Sequence, residues 1–294
     1  MLHESDPVAA ARALWPPPAD GRHVVDVLLE ERAPRLMQNP IWPLLRAPLF
    51  ALLDYHRARE SADAIKDLGG RAALDYVSAL LRLDVRAQNL DRIPRKGRCV
   101  IVANHPTGIA DGVALSDALL PLRSDLCFFA NADALRVCPR FTEVLIPVEW
   151  MKERRSVEKT KLTLRLAQRA LADERAVVIF PAGAPARRFG ALIKEPPWER
   201  SALTLARKHG APLIPVHVAG PCSYLYHAFD LLSRELRNVT LFRELLNKAG
   251  KRYDLSIGPL IALSALQGDA EAATRKLRGY VAHTLAHAPD GAFV

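Results

Sequence analysis

The sequence predicts an α/β fold with a largely parallel central sheet flanked by helices, and a layer of helices at the N-terminus. Short apolar runs of strand length alternate with helix-length segments between about residues 85 and 262, as in sheets whose parallel strands are joined by helices. Proline and glycine residues separate these runs. Before residue 85 the apolar positions follow helical spacing, so we divide the chain into an N-terminal helical segment, 1–84, and a main domain, 85–294.

The composition is that of a globular protein with a basic surface. The chain has 294 residues, of which 50% are apolar and 25% charged, which is enough for one large core. Its 41 Lys and Arg residues against 32 Asp and Glu give a net charge of +9, which suits an anionic membrane face, an acidic carrier protein or nucleic acid. The arginines are spread along the chain without a nucleic-acid-binding signature, so we expect no nucleic acid partner.

Other features indicate a cytoplasmic protein without a metal. No run of about 18 apolar residues predicts a transmembrane helix, and the first residues lack the basic and apolar regions of a signal peptide. The four cysteines have no metal-ligand spacing, which favours free thiols in a reducing compartment.

The N-terminal segment is expected to be mostly helical. Pro16–Pro18 predicts an extended lead-in before a short helix over 24–35. The apolar stretch 39–55 is interrupted by an arginine and two prolines, so it is too broken to span a bilayer. Two interpretations stay open: the stretch lies in a membrane interface with Trp42 and Tyr55 at headgroup level, or it packs as ordinary core.

The main domain is organised around the stretch from Cys99 to Gly112. Its β-branched start predicts a buried strand that ends before His105, and a turn with Pro and Gly leads on to Asp111. A histidine exchanges protons near neutral pH, and a carboxylate on its other ring nitrogen fixes the tautomer of a general base. No Ser or Cys occupies the turn, so the nucleophile would be the substrate's own hydroxyl. The alternative is structural: His105 caps a turn and Asp111 caps the following helix.

A second block, 176–188, ends a predicted strand in a glycine turn that presents two arginines. The strand runs from Val177 to Phe180 and stops at a proline. Arg187 and Arg188 suit a bidentate grip on a phosphate, which the backbone N–H groups of a glycine turn support. The alternative is an ordinary strand exit with solvated arginines.

The remaining elements complete the alternating pattern. His217 lies inside an apolar strand and is expected to be a packed residue rather than a base. Outside the two blocks we predict strands over 85–93, 126–130, 145–150, 211–218 and the end of 240–257, and helices over 72–83, 112–120, 159–172, 201–208, the start of 240–257 and beyond 262.

Both blocks resemble motifs of the glycerolipid acyltransferase superfamily, which includes the lysophospholipid and 1-acylglycerol-3-phosphate acyltransferases. Five residues separate His105 from Asp111, an HX5D motif, where most members have four, and this spacing resembles a subgroup labelled hemolysin-like. The sequences FPAG at 180–183 and RELLNK at 243–248 are similar to that subgroup. The chain departs from the family at Ala182, where lysophosphatidic acid enzymes have Glu, and at two alanines that follow it.

The resemblance implies a glycerol-3-phosphate acyltransferase-like fold and transfer of a fatty acyl chain from acyl-CoA or acyl carrier protein to a hydroxyl of a lysophospholipid-like acceptor. It makes His105 the general base, oriented by Asp111, with no bound cofactor. Backbone N–H groups near Gly108 or Gly183 would stabilise the developing oxyanion. It assigns substrate binding to Asn104, Thr107, Gly108, Phe180, Pro181, Gly183, Arg187, Arg188 and Pro215.

These substrates imply contact with a membrane, so we expect a peripheral protein on the inner face of the cell membrane. Three rival functions stay open. One is an O-acyltransferase for an aminolipid such as ornithine lipid, and another is a thioesterase that uses the same His and Asp on water. The third is a non-catalytic lipid- or phosphate-binding relative, suggested by the alanines at 182, 184 and 186.

Overall fold

A computed structural model describes residues 7–189 and 192–293 of the chain. Within these residues a seven-stranded sheet forms the centre of the molecule, and a separate two-stranded hairpin lies beside it. The strands are β1 Asp84–Gln88, β2 Cys99–Ala103, β3 Leu126–Asn131, β4 Leu145–Val148, β5 Ala176–Ile179, β6 Arg187–Phe189, β7 Leu192–Lys194, β8 Leu213–Ala219 and β9 Arg252–Ile257.

The sheet has the order β1-β9-β8-β2-β5-β3-β4. Neighbours from β8 to β4 are parallel, whereas β9 runs antiparallel to β8 and pairs in parallel with β1. The prediction of a largely parallel α/β sheet is therefore confirmed. Strands β6 and β7 form the antiparallel hairpin.

Helices cover both faces of the sheet. The helices are α1 Pro7–Leu14, α2 Val24–Arg32, α3 Pro34–Met37, α4 Trp42–Leu52, α5 Tyr55–Ile65, α6 Gly70–Leu81, α7 Ile109–Leu119, α8 Asp133–Val137, α9 Val157–Ala172, α10 Ser201–His209, α11 Tyr224–Leu232, α12 Arg234–Val239, α13 Leu241–Leu246, α14 Ala270–Gly279 and α15 Leu285–His287. Ile101 of β2 packs on the side of α6 and α7, while Val100 and Val102 face α9, α10 and α14, as strand alternation requires. The central strand is thus buried on both faces.

Residues 16–18 are non-helical, as the prolines predict, but residues 7–14 before them form helix α1, which was not predicted. The reason is tertiary packing. Ala11 and Trp15 are buried in the main core, and the Trp15 indole donates a hydrogen bond of 3.2 Å to Glu149. Local composition did not contain this distant partner.

The apolar stretch 39–55 combines parts of both interpretations. Helix α4 has no buried residue and exposes several large apolar side chains, among them Leu44 at 79%. Tyr55, in contrast, is buried, stacks on Phe50 with ring centroids 4.1 Å apart, and bonds to Asp26, so its predicted place at headgroup level is wrong. None of the helices in the described part of the chain is long and apolar enough to cross a membrane.

Candidate active site

The site lies at the carboxyl end of β2, between the ends of β5 and β8. Val102 pairs with Ile179 on one side and with Pro215 on the other, so the chain leaves the sheet there with neighbours on both sides. Asn104 continues the pairing through its side chain: its Nδ2 donates to the Val218 carbonyl at 2.8 Å and its Oδ1 accepts the Val218 N–H at 2.6 Å. This clamp fixes the point at which the loop begins.

The structure brings His105 and Asp111 into direct contact. Helix α7 begins at Ile109 rather than at the predicted Gly112, because Gly108 takes a positive φ of 103° and serves as N-cap. Asp111 then lies in the first turn, where its Oδ2 accepts the His105 Nδ1 proton at 2.9 Å. The same oxygen accepts the N–H groups of Thr107 at 2.9 Å and Gly108 at 3.0 Å. The capping role and the orienting role of Asp111 therefore exist together.

The hydrogen bonds define the protonation pattern of this pair. Asp111 is fully buried, and every donor around it points at one of its two oxygens, as an ionised carboxylate requires. Nδ1 of His105 must then carry the proton, which leaves a lone pair on Nε2. The imidazole is partly exposed, so Nε2 is the atom able to take a proton from a substrate hydroxyl.

A buried hydroxyl chain supports the carboxylate from behind. The Thr107 hydroxyl donates to Asp111 Oδ1 at 2.6 Å, and the Tyr253 hydroxyl lies 2.7 Å from the Thr107 oxygen. Burial raises the pKa of Tyr253, so it stays neutral and acts as the outer donor. Gly220 lies against this chain: a Cβ there would be 2.5 Å from the Tyr253 ring and 2.9 Å from the Thr107 methyl group.

Phe180 forms one wall of the site. Its ring stacks on the His105 imidazole with centroids 4.5 Å apart and planes inclined by 28°. The loop that follows is bound to the catalytic turn, since the Ala186 N–H donates to the His105 carbonyl at 2.9 Å. The loop that follows β5 is therefore held directly against the turn that carries His105.

The predicted oxyanion donors are already engaged. The Gly108 N–H donates to Asp111, and the Gly183 N–H donates to the Phe180 carbonyl at 3.0 Å inside its own turn. Neither of these two N–H groups is free to receive a developing oxyanion, and a role for other backbone N–H groups near the two glycines stays a prediction.

Comparisons with known proteins agree with this geometry. The acyltransferase family model matches residues 84–219, which include the turn with His105 and Asp111 and the loop that follows Phe180. Residues 84–219 therefore form an acyltransferase domain, and the chain is similar to members of the glycerolipid acyltransferase superfamily. The protein is an acyltransferase. Helix α11 and Tyr253 lie beyond the range that the family model matches.

Two curated relatives of this acyltransferase are lyso-glycine lipid O-acyltransferases. The protein from Phocaeicola vulgatus is 24% identical over 203 residues, covering 66% of this chain and 71% of the relative. The protein from Bacteroides thetaiotaomicron is 22% identical over 162 residues, covering 55% of this chain and 58% of the relative. Among solved structures, the 1-acyl-sn-glycerophosphate acyltransferase PlsC from Thermotoga maritima covers 91% of this chain and 98% of its own, at 14% identity and a TM-score of 0.45.

The two predicted phosphate-binding arginines, Arg187 and Arg188, lie on strand β6 of the hairpin. In the antiparallel strand register, Arg187 lies opposite Lys194 and Arg188 opposite Ile193. Both arginines directly follow Ala186, whose N–H is bonded to the His105 carbonyl. Of the other predicted substrate residues, Asn104, Thr107 and Gly108 lie in the turn after β2, and Phe180, Pro181 and Gly183 in the loop after β5. Pro215 is buried in β8 beside Val102. Its role in substrate binding stays a prediction.

Glu195 is a component of the site that the sequence did not reveal. One carboxylate oxygen accepts the backbone N–H of His105, and the other accepts the Trp198 indole N–H at 3.1 Å. Its carbonyl accepts a hydrogen bond of 2.8 Å from Arg278. Burial raises the pKa of Glu195, against the lowering effect of its two donors. Glu195 thus brings a carboxylate to the catalytic turn of an acyltransferase that has alanine at 182.

The other histidine and the cysteines have structural positions. The imidazole of His217 bonds to the Val281 carbonyl at 3.0 Å, so it is the packed strand residue that the sequence predicts. All four cysteines lie in the described ranges and are free thiols. Across residues 7–189 and 192–293, no cluster of three or more His, Cys, Asp or Glu side chains could hold a metal ion.

Proposed function

We propose that this protein transfers a fatty acyl chain from a thioester donor to a hydroxyl of a lysolipid acceptor. The observation that carries the proposal is the 2.9 Å contact between His105 Nδ1 and the buried carboxylate of Asp111, which leaves Nε2 as a proton acceptor at the mouth of the site. The acyltransferase family match and the names of the two curated relatives support the reaction and the acceptor class.

The proposed reaction is a direct transfer. Nε2 of His105 takes the proton of the acceptor hydroxyl as its oxygen attacks the thioester carbonyl, and Asp111 stabilises the imidazolium that forms. The tetrahedral intermediate collapses with cleavage of the C–S bond, and the imidazolium returns its proton to the departing thiolate. The products are an ester and a free thiol, so the enzyme carries no covalent intermediate.

We propose acyl-CoA or acyl carrier protein as the donor, because both present the acyl chain as a thioester. Both also contain a phosphate next to the pantetheine arm, and guanidinium groups suit phosphate oxygens. Arg187 and Arg188, which follow the segment bonded to His105, are the residues proposed to hold a donor or acceptor phosphate.

Two acceptor classes fit the proposal. A lysophospholipid is the acceptor implied by the sequence motifs, whereas a lyso-glycine lipid is the acceptor named for both curated relatives. Ala182 favours the amino-acid lipid, because the chain lacks the Glu found there in lysophosphatidic acid enzymes.

We further propose that the protein works as a peripheral protein on the cytoplasmic face of the cell membrane. A lipid acceptor, a net charge of +9 and the exposed apolar side chains of α4 support this location. Fractionation of cells that express the full chain tests it: the protein is expected in the membrane fraction and released by alkaline carbonate.

The test of the function is a product analysis. Purified protein is incubated with isotope-labelled acyl-CoA or acyl carrier protein and a panel that contains lyso-glycine lipid, lyso-ornithine lipid and lysophosphatidic acid. A doubly acylated lipid confirms the proposal and identifies the acceptor. Labelled free fatty acid without ester would indicate a thioesterase, and no product with any pair would indicate a non-catalytic binding protein.

A further inference from the structure

Helix α11 exposes an apolar face to solvent. Three of its large side chains are exposed: Tyr224 at 89%, Leu231 at 64% and Leu232 at 74%. Helical spacing puts these residues, together with the exposed Ala228, on one side of the helix. No charged residue lies between them on that side.

The polar groups of α11 point the other way. His227 is buried, and Asp230 forms an ion pair of 2.7 Å with Arg237 of α12. The N-cap Ser223 donates to Glu244 at 2.6 Å, which fixes the start of the helix on α13. A surface helix of a globular protein normally has a polar stripe on its outer side, whereas α11 exposes apolar side chains there.

The apolar face continues to the catalytic loop. Helix α11 packs against β6, and the partner strand β7 exposes Leu192 at 56% and Ile193 at 49%. β6 directly follows Ala186, whose N–H is bonded to the His105 carbonyl. A lipid that touches this surface is therefore next to the catalytic turn.

Helix α4 rests on the same buried cluster as α11. Leu49 and Phe50 of α4 pack against one buried cluster, and Phe229 of α11 packs against that same cluster. The exposed apolar residues of both helices thus share one support.

Exposed basic residues border this surface. Arg46 lies on α4, Lys194 at the end of β7 and Arg234 directly after α11. The nearby acids are engaged: Asp230 pairs with Arg237, and Glu235 accepts the backbone N–H groups at the start of α3. An apolar centre with a cationic rim matches the interface of an anionic bilayer.

We propose that α11 and strand β7 form a second membrane-contact surface, which inserts into an anionic lipid interface and admits the acceptor lipid to His105. This inference rests on the proposed function and adds a site beyond α4. Helix α11 lies outside the segment that the acyltransferase family model matches.

Vesicle binding tests the surface independently of catalysis. Full-length protein is mixed with vesicles of phosphatidylethanolamine and phosphatidylglycerol, and with vesicles of phosphatidylcholine alone, and bound protein is sedimented. Leu231→Glu/Leu232→Glu is expected to lower the affinity for anionic vesicles roughly 100-fold or more. Burial of each leucine side chain in the bilayer contributes about tenfold or more to the affinity, and the double variant loses both contributions. Leu164→Glu, at a leucine of α9 that is 47% exposed, is the matched control and is expected to bind like the unaltered protein.

Turnover separates membrane contact from a role in the active site. The double variant is expected to lose activity on a long-chain lysolipid embedded in vesicles, but to keep it on a short-chain lysolipid dissolved as a monomer. Loss on both substrates, with an unchanged circular dichroism spectrum, would overturn the proposal by making α11 part of the catalytic site. Leu231→Ser/Leu232→Ser repeats the test without a new charge.

Two further results would overturn the proposal. One is equal vesicle binding by the double variant and the unaltered protein. The other is a dimer in light scattering that the double variant converts to a monomer, which would make a second copy the occupant of α11. If the unaltered protein showed no acyl transfer, the vesicle experiment would still decide whether α11 binds lipid, so failure of the function and failure of this inference are distinguishable.

Discussion

Replacement of Asp111 by Asn removes one negative charge from the site and leaves its shape almost unchanged. An amide oxygen in the position of Oδ2 still accepts from His105, Thr107 and Gly108. The amide nitrogen then faces the Thr107 hydroxyl, which turns to serve as acceptor. The Thr107 proton then goes to the Tyr253 oxygen, so the bond from Tyr253 reverses as well, and we expect a cost of about 1 to 2 kcal/mol in the free energy of unfolding.

The catalytic cost is larger, because the imidazolium loses its counter-charge. Nδ1 and Oδ2 are 2.9 Å apart. With charge centres about 4 Å apart and an effective dielectric constant of about 20, the interaction is worth about 4 kcal/mol. That corresponds to about a 1,000-fold fall in kcat, with KM for the acceptor unchanged.

The assay follows thiol release from the acyl thioester at saturating acceptor. Asp117→Asn is the matched control, since it removes a half-buried carboxylate from the same helix α7 away from His105. It is expected to keep kcat within about twofold. An Asp111→Asn protein that is folded and retains kcat within about threefold would refute the orienting role of the carboxylate.

Three further predictions concern the residues around this pair. Tyr253→Phe removes the outer hydroxyl of the chain and is expected to lower kcat three- to tenfold, roughly the worth of one hydrogen bond, without changing KM; steady-state kinetics measures both. Gly220→Ala places a methyl group against Tyr253 and is expected to cost about 1 to 3 kcal/mol of stability, seen as a lower Tm; an unchanged Tm would contradict the close approach. Burial raises the pKa of Glu195 above 4.5 in the folded protein. The folded protein therefore binds the proton of the Glu195 carboxyl group more tightly than the unfolded chain does. Stability therefore falls as the pH rises from 4.5 through the folded-state pKa, and urea titrations of Glu195→Gln should lack this fall.

Features set by neighbouring residues could be predicted from the sequence. The β-branched run Val100–Val102 forms the central strand, and the Pro-Gly turn brings His105 to Asp111 within a few residues. The start of α7 was misplaced, because a glycine with positive φ allows the helix to begin before the aspartate rather than after it.

Features that depend on distant packing could not be predicted. Tyr253 reaches Thr107 from β9, a strand that is far away in the sequence, and no local pattern marks that contact. Glu195 follows a hairpin that the sequence did not indicate. Its role comes from the hydrogen bond that it accepts from the backbone N–H of His105, a residue distant in the sequence. α11 was missed because its apolar residues face outward, whereas sequence interpretation assigns apolar residues to the core.

The carboxylate of Glu195 changes how the departures from the family motif are interpreted. Ala182 suggests a weakened site if the motif is considered alone. Ala182 lies in the turn closed by Gly183 and Phe180, and Glu195 supplies a carboxylate to the neighbouring turn, where it accepts the backbone N–H of His105. The alanine therefore does not leave the His105 turn without a supporting carboxylate.

The most direct test of His105 as general base is single-turnover acyl transfer with His105→Ala. The variant is mixed with labelled acyl thioester and the lysolipid that the product panel identifies, and the ester formed is quantified by mass spectrometry. His283→Ala, at an exposed histidine near the C-terminus, is the matched control. We expect the control to form ester at the normal rate and His105→Ala to form it at least about 1,000-fold more slowly. Ester formation by His105→Ala at a rate close to that of the control would contradict the assignment.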